Sequence, residues 1–256
     1  MIPDCSRAGR AAAFFDLDGT LIRGHMILDF PDHLLSAGLF DPEIHRKIRE
    51  MREDHRTGRL LYRKVAEALP SLYAEGLRGR RVSDVKLVAE SFVAGRMKEV
   101  YDYSMPLVAL MADSGRPGVA LSGSPVETVL PMARRLGMEA AFGTELEVGG
   151  GRYTGRVLRN MILGETKRPV YEQIVELDGI DEANSFGFGD TEEDISFLER
   201  VGWPVALNPA PGLRATALRN GWTILAHGEE VVARVGELLK RVEEGREGAG
   251  LSGGRL

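Results

Sequence analysis

The stretch AAAFFDLDGTLI, residues 11–22, constrains this chain more than any other. An apolar run long enough for a short strand, with no polar face, stops at two carboxylates one residue apart, followed at once by Gly and Thr. A run without alternation predicts a parallel strand covered on both faces. Three more runs share that character: GVALS (118–122), SFGFG (185–189) and WPVALN (203–208), with WTIL (222–225) as a fifth candidate. Helical patterns lie between the later runs, over 127–137, 167–179 and 192–202, several ending in Gly as helices commonly do. Pro131 inside the first of these predicts a kink or a displaced boundary. Strands alternating with helices define an α/β fold, a doubly wound parallel sheet.

Two segments depart from that alternation. TELEVGGGRYTGRV (144–157) alternates around three glycines and predicts a hairpin. Residues 23–104 contain no convincing strand but strong helical patterns, such as DPEIHRKIREMREDH. That is too much chain for an ordinary crossover, so a helical subdomain is expected after the first strand. The division expected is a core of residues 10–22 and 105–244, a helical cap of 23–104, and a Gly-rich, disordered tail over 245–256. The apolar stripe of 228–244 is expected to pack on the core. A formal charge of −5 gives no call for nucleic acid or a membrane surface. The first ten residues lack a signal-peptide core, and no run approaches the roughly 18 apolar residues of a membrane helix. A single cysteine, Cys5, excludes an internal disulfide and fits a reducing, cytoplasmic setting. The chain is expected to be a monomer or homodimer.

Ligands of open α/β sheets bind beyond the carboxyl ends of the strands, which is where Asp16 and Asp18 stand. Adjacent carboxylates repel and need a cation, a shared proton or water, and Mg²⁺, with its taste for carboxylate, carbonyl and water oxygens, answers this. A solvated turn is the plainer alternative, since Asp-Gly is a common turn signal. Three later features favour a site. Ser122, Gly123 and Ser124 follow the second strand and read as a hydroxyl and backbone N–H nest for an anion, or as simple N-capping. Lys167 at a helix start is unfavourable beside the helix dipole unless an anion compensates. Asp190 ends another strand, while Thr191 and Asp194 form a capping-box pattern that leaves Asp190 unexplained.

In order, FDLDGTL, LSGS, Lys167 and GDTEED resemble the four motifs of the haloacid-dehalogenase-like phosphohydrolases, over roughly residues 12–226. The helical insertion after the first motif resembles the cap of the phosphoserine-phosphatase-like branch. The resemblance implies a Rossmann-like core and a Mg²⁺-dependent phosphomonoesterase acting on a small phosphorylated metabolite. Asp16 would be the nucleophile that forms an aspartyl-phosphate, and Asp18 the acid and then the base. Mg²⁺ would be held by the Asp16 carboxylate, the Asp18 carbonyl and Asp190, with Asp194 orienting a bound water or Lys167. Ser122, the Gly123 N–H and Lys167 would hold the phosphoryl oxygens.

The same comparison marks departures. Where phosphoserine phosphatases carry a Glu for the substrate ammonium stands His25, a poor ammonium partner, so phosphoserine itself is not expected. The cap arginine corresponds to Arg63 or Lys64, within a basic run from Arg46 to Lys64 that also reads as a solvated helix face. Glu193 replaces an Asn and is expected to tune the metal surroundings. His33, His45, His55 and His227 lack metal-ligand spacing. Two rivals stay open: a phosphotransferase or mutase using the same intermediate, and a phosphate-binding regulatory module without turnover. A dinucleotide-binding oxidoreductase is disfavoured because no G-x-G-x-x-G follows the first strand.

Overall fold

The computed structural model describes residues 9–227 and 230–251, so Cys5 lies outside the described residues. In chain order the elements are β1 (Ala13–Phe15), α1 (Met26–Ser36), α2 (Pro42–Arg56), α3 (Tyr62–Gly76), α4 (Val82–Arg96) and α5 (Ser104–Asp113). There follow β2 (Gly118–Pro125), α6 (Val126–Leu136), β3 (Ala140–Gly149), β4 (Arg152–Arg159) and α7 (Gly164–Asp178). The chain continues with β5 (Phe186–Gly189), the short α8 (Ile195–Leu198), β6 (Trp203–Leu207), α9 (Pro211–Asn220), β7 (Thr223–Leu225) and α10 (Val231–Leu251). The sheet runs β4-β3-β2-β1-β5-β6-β7, parallel except for the β3–β4 hairpin.

The central strand shows why its sequence has no polar alternation. Ala12 and Phe14 face one buried cluster, with Val170, Tyr171 and Ile174 of α7. Ala13 and Phe15 face the other, with Leu107 of α5, Val129 of α6 and Val235 of α10. Parallel β1 and β5 put Phe15 opposite Phe188, where the rings stack with centroids 4.6 Å apart. Helices therefore cover both faces, as a doubly wound sheet requires. No helix among the described residues is long and apolar enough to cross a membrane.

Residues 23–104 hold four α-helices and a 3₁₀ turn, as their periodicity predicts. The insertion leaves and rejoins the core through paired backbone: Arg23 N donates to Glu99 O and Tyr101 N to Leu21 O. The hairpin reaches beyond the sheet to meet it, with Gly79 N bonded to Tyr153 O, Tyr153 N to Arg80 O and Val82 N to Gly151 O. Pro131 lies inside α6, which runs on through it. The stripe Val231, Val235, Leu238, Leu239 and Val242 of α10 is buried in the core, as expected. The expected tail differs: α10 extends to Leu251, and 252–256 lie outside the described residues.

Candidate active site

The alternation of β1 that puts Ala12 and Phe14 against α7 carries on to Asp16, just past the strand end. On α7, Lys167 shares the buried stripe of Val170, Tyr171 and Ile174, at the i, i+3, i+4, i+7 spacing of one helix face. Both stripes end at the carboxyl edge of the sheet. There Lys167 Nζ lies 3.1 Å from Asp16 Oδ1 and 2.7 Å from Asp194 Oδ1. All three residues are buried. Lys167 does not start its helix: α7 begins three residues earlier, at Gly164, whose N–H donates to Glu193 Oε2 at 2.5 Å. Glu193 thus caps the first turn of α7 through that bond.

Asp190 follows β5 and lies beside Asp16, whose N–H donates to Phe188 O at 2.9 Å. Carboxylate oxygens of Asp16, Asp190 and Asp194 all lie within 4.8 Å of one another. Asp194 has two tasks. Its Oδ2 accepts from the N–H groups of Asp190 and Thr191, at 3.0 and 3.1 Å, completing the predicted capping box, while Oδ1 meets Lys167. Thr20 Oγ1 donates to Asp190 Oδ1 at 3.0 Å, a contact the sequence reading did not anticipate.

Gly19 makes this packing feasible. Its φ is +90°, and a Cβ there would sit 2.1 Å from Asp190 Oδ2. Gly19→Ala is therefore expected to lose about 1–3 kcal/mol of stability through backbone strain. It should also displace the Asp190 carboxylate and weaken divalent-ion binding, read by thermal melting and titration calorimetry. Wild-type affinity in the variant would contradict the crowding argument.

The electrostatics follow from burial and crowding. Burial pushes the Asp16 carboxyl well up; Lys167 opposes this, and Asp194, Asp190 and Asp18 add to the rise. Burial, then repulsion from Asp194, raises Asp190 to about 8. Burial disfavours the charge on Lys167, yet Asp194 and Asp16 outweigh it and hold the ammonium firmly protonated. Three acids, Asp16 and Asp194 buried and Asp190 half-buried, crowd around one lysine, so a hard divalent cation with oxygen ligands fits the remaining charge.

Asp18 stands apart from the trio. Its Oδ1 accepts from Met26 N at 2.9 Å, and its Oδ2 from Ser124 Oγ at 2.5 Å and, more loosely, from Ser122 Oγ at 3.4 Å. Both carboxylate oxygens of Asp18 are thus engaged by hydrogen bonds. Ser122 is buried and Gly123 follows it within β2, which runs to Pro125 before α6 begins. The expected helix opening at Ser122–Ser124 is thus strand.

The expected specificity residues part company. His25 is exposed at the N-cap of α1; burial raises the Asp18 carboxyl above its ordinary value, and the nearby His25 opposes part of that rise. Arg63 is committed to carboxylates, with Glu67 Oε1 at 3.1 Å and Glu165 Oε1 of α7 at 3.0 Å, and Lys64 pairs with Glu67. The basic run is mostly a solvated face: Arg46 pairs with Glu43 and Glu50, Arg56 with Glu53, and Arg59 with Asp54. Sequence reasoning missed Tyr62. It is 45% exposed, opens α3 beside the Arg63–Glu165 bridge, and its hydroxyl feels Glu193, Lys167, Asp194 and Asp16. Its only sequence signal is adjacency to Arg63. The other histidines have protein partners: His45 Nε2 lies 2.5 Å from Asp32, His55 Nδ1 3.0 Å from Leu60 O, and the rings of His33 and His227 pack on Phe92 and Tyr101.

A doubly wound sheet with acids and a lysine converging at its carboxyl edge places a potential cation and anion site where ligands of such sheets bind. The profile of the haloacid dehalogenase-like hydrolases matches residues 13–199, and the chain belongs to that family. It is similar to the "inhibition of morphological differentiation protein" of Streptomyces azureus, with 31% identity over 84% of this chain and 78% of the relative. It is 27% identical to the phosphoserine phosphatase SerB1 of Mycobacterium tuberculosis, over 84% of this chain and 70% of that one. Among solved structures, a Bordetella pertussis protein of unknown function superposes with a TM-score of 0.71 and 26% identity, covering 85% of this chain and 99% of that one.

Proposed function

We propose that this protein hydrolyses a small phosphomonoester through an aspartyl-phosphate on Asp16. The observation that carries the reading is Lys167 bridging Asp16 and Asp194, with Asp190 within reach, at the sheet edge. An Asp16 oxygen attacks phosphorus as the bond to the leaving oxygen breaks, and Asp18 gives that oxygen a proton. Water then attacks the aspartyl-phosphate, Asp18 takes a proton from it, and phosphate and the free carboxylate are restored. Ser122, the Gly123 N–H and Lys167 neutralise and orient the phosphoryl oxygens, which is most of what phosphoryl transfer requires. Mg²⁺, held by the carboxylates of Asp16 and Asp190 and the Asp18 carbonyl, would supply the remaining positive charge.

The substrate is a phosphorylated metabolite other than phosphoserine: His25 offers no carboxylate for an ammonium, and Arg63 is already paired. Phosphate release from a panel of phosphorylated metabolites, O-phosphoserine included, tests this. Phosphoserine as the preferred substrate would overturn the exclusion, and no release from any ester would overturn the activity.

Chelation is expected to abolish turnover and Mg²⁺ to restore it. Stability should report the same ion. Without a divalent cation, folded Asp190 keeps its proton up to about pH 8, whereas the unfolded carboxyl loses it near its ordinary value. The folded state binds the extra proton in that window, so stability falls as pH rises through it. A divalent ion removes the penalty by stabilising the ionised form. Mg²⁺ should therefore raise Tm more at about pH 8 than at about pH 5, compared with EDTA. Equal gains at both values would count against Asp190 as a ligand.

A further inference from the structure

Helix α1, the first of the insertion, starts without a cap of its own. Its N-cap residue is His25, whose side chain makes no capping hydrogen bond. The first amides of a helix have no partner within it and must find one elsewhere. Leu28 N and Asp29 N turn back to His25 O. The first two amides instead reach the core: Met26 N donates to Asp18 Oδ1 at 2.9 Å, and Ile27 N to Ser124 Oγ at 3.0 Å. Ser124 Oγ passes its single proton to Asp18 Oδ2 at 2.5 Å. Ser124 is 1% exposed, so water does not compete for these bonds. Both oxygens of Asp18 are therefore fixed, one directly by α1 and the other through Ser124 by the same helical turn. The positive end of the helix dipole faces the carboxylate.

We propose that Ser124 is a positioning residue that joins the Asp18 carboxylate to the first turn of α1, so that the proton-transferring group is set in place together with the helical insertion. The inference rests on the role of Asp18 given under Proposed function. The hydroxyl suits the task because it accepts from Ile27 and donates to Asp18 at once, which an apolar side chain of similar size does not do. Misplacing a proton-transferring group by about 1 Å costs on the order of 100-fold in rate.

Single-turnover measurements with enzyme in excess test it, because they isolate the first half-reaction. An alkyl phosphomonoester needs a proton on its poor leaving oxygen, whereas 4-nitrophenyl phosphate needs little help. Ser124→Ala is expected to slow phosphoryl transfer from the alkyl ester by about 10- to 100-fold. Nitrophenolate release in the first turnover should stay within about threefold of wild type, since proton transfer contributes little there. Ser124→Cys keeps the shape with a slightly larger atom and weakens both hydrogen bonds, so it should show the same selectivity on a smaller scale and stands in if the alanine variant does not fold. Wild-type rates on both esters, or equal losses on both, would overturn the proposal. The underlying reading fails separately, by wild-type enzyme forming no phosphoenzyme or by Asp16→Asn retaining turnover.

Discussion

Asp16→Asn is expected to lower turnover by about four orders of magnitude or more while the protein stays folded, since removing a nucleophile from an interdependent catalytic set removes nearly all of its acceleration. The amide has no oxygen able to form the covalent ester with phosphorus. Stability should hold, because the substitution takes a charge out of a buried site already crowded with acids. Lys167 keeps its shorter bond, to Asp194, after the change. In a divalent-free buffer the variant should melt at or above the wild-type temperature, which is uncommon for a catalytic substitution. Three measurements check this: phosphate release, a hydroxylamine-labile acyl-phosphate in wild type alone, and thermal melting. An Asn variant that still turns over, or a wild-type phosphoenzyme resistant to hydroxylamine, would remove the nucleophile from this position.

Lys167→Ala should do the opposite to stability. Its ammonium is the cation within salt-bridge distance of both Asp16 and Asp194, at 3.1 and 2.7 Å, and the ion pairs are almost fully shielded from water. Removing one partner leaves buried carboxylates without compensation, a loss of about 3–5 kcal/mol. Urea titration in EDTA measures it, and Mg²⁺ should return part of the loss through the remaining acids. Turnover should fall by about 100- to 1,000-fold as well, because a preorganised donor to the transferring group is gone. Lys167→Arg should rescue little, since a planar guanidinium does not place one point charge between two carboxylates in a space fitted to an ammonium. A stable alanine variant with intact turnover would show that the lysine is neither keystone nor phosphoryl contact.

Much of this arrangement could be read before any coordinates. Ala12 to Phe15 are apolar at every position because both faces of β1 are covered, and the acids begin where that cover ends. Lys167 carries its own signal, being spaced from Val170, Tyr171 and Ile174 as one helical stripe, so that a charged residue in a buried row needs a partner. The capping box of Thr191 and Asp194 was legible as a local pattern and held, though the same Asp also reaches Lys167.

Residues whose meaning depends on a partner far along the chain were not legible. Arg63 looked available for a substrate until the fold set Glu165 beside it. Glu193 gave no local sign that the Gly164 amide of α7 would come to it. Ser124 looked like a cap for the helix that follows it, yet it serves a helix that starts near residue 26. Periodicity and turn chemistry act over a few residues, so the sequence by itself determined which face each side chain takes and where strands stop: the acids at the sheet edge and the lysine on its stripe. Hydrogen bonds form between groups that closure brings to within about 3 Å, and closure depends on how helices pack across the whole sheet. Only the tertiary structure could decide that Asp18 is held jointly by α1 and β2 while Asp16 meets Lys167 of α7.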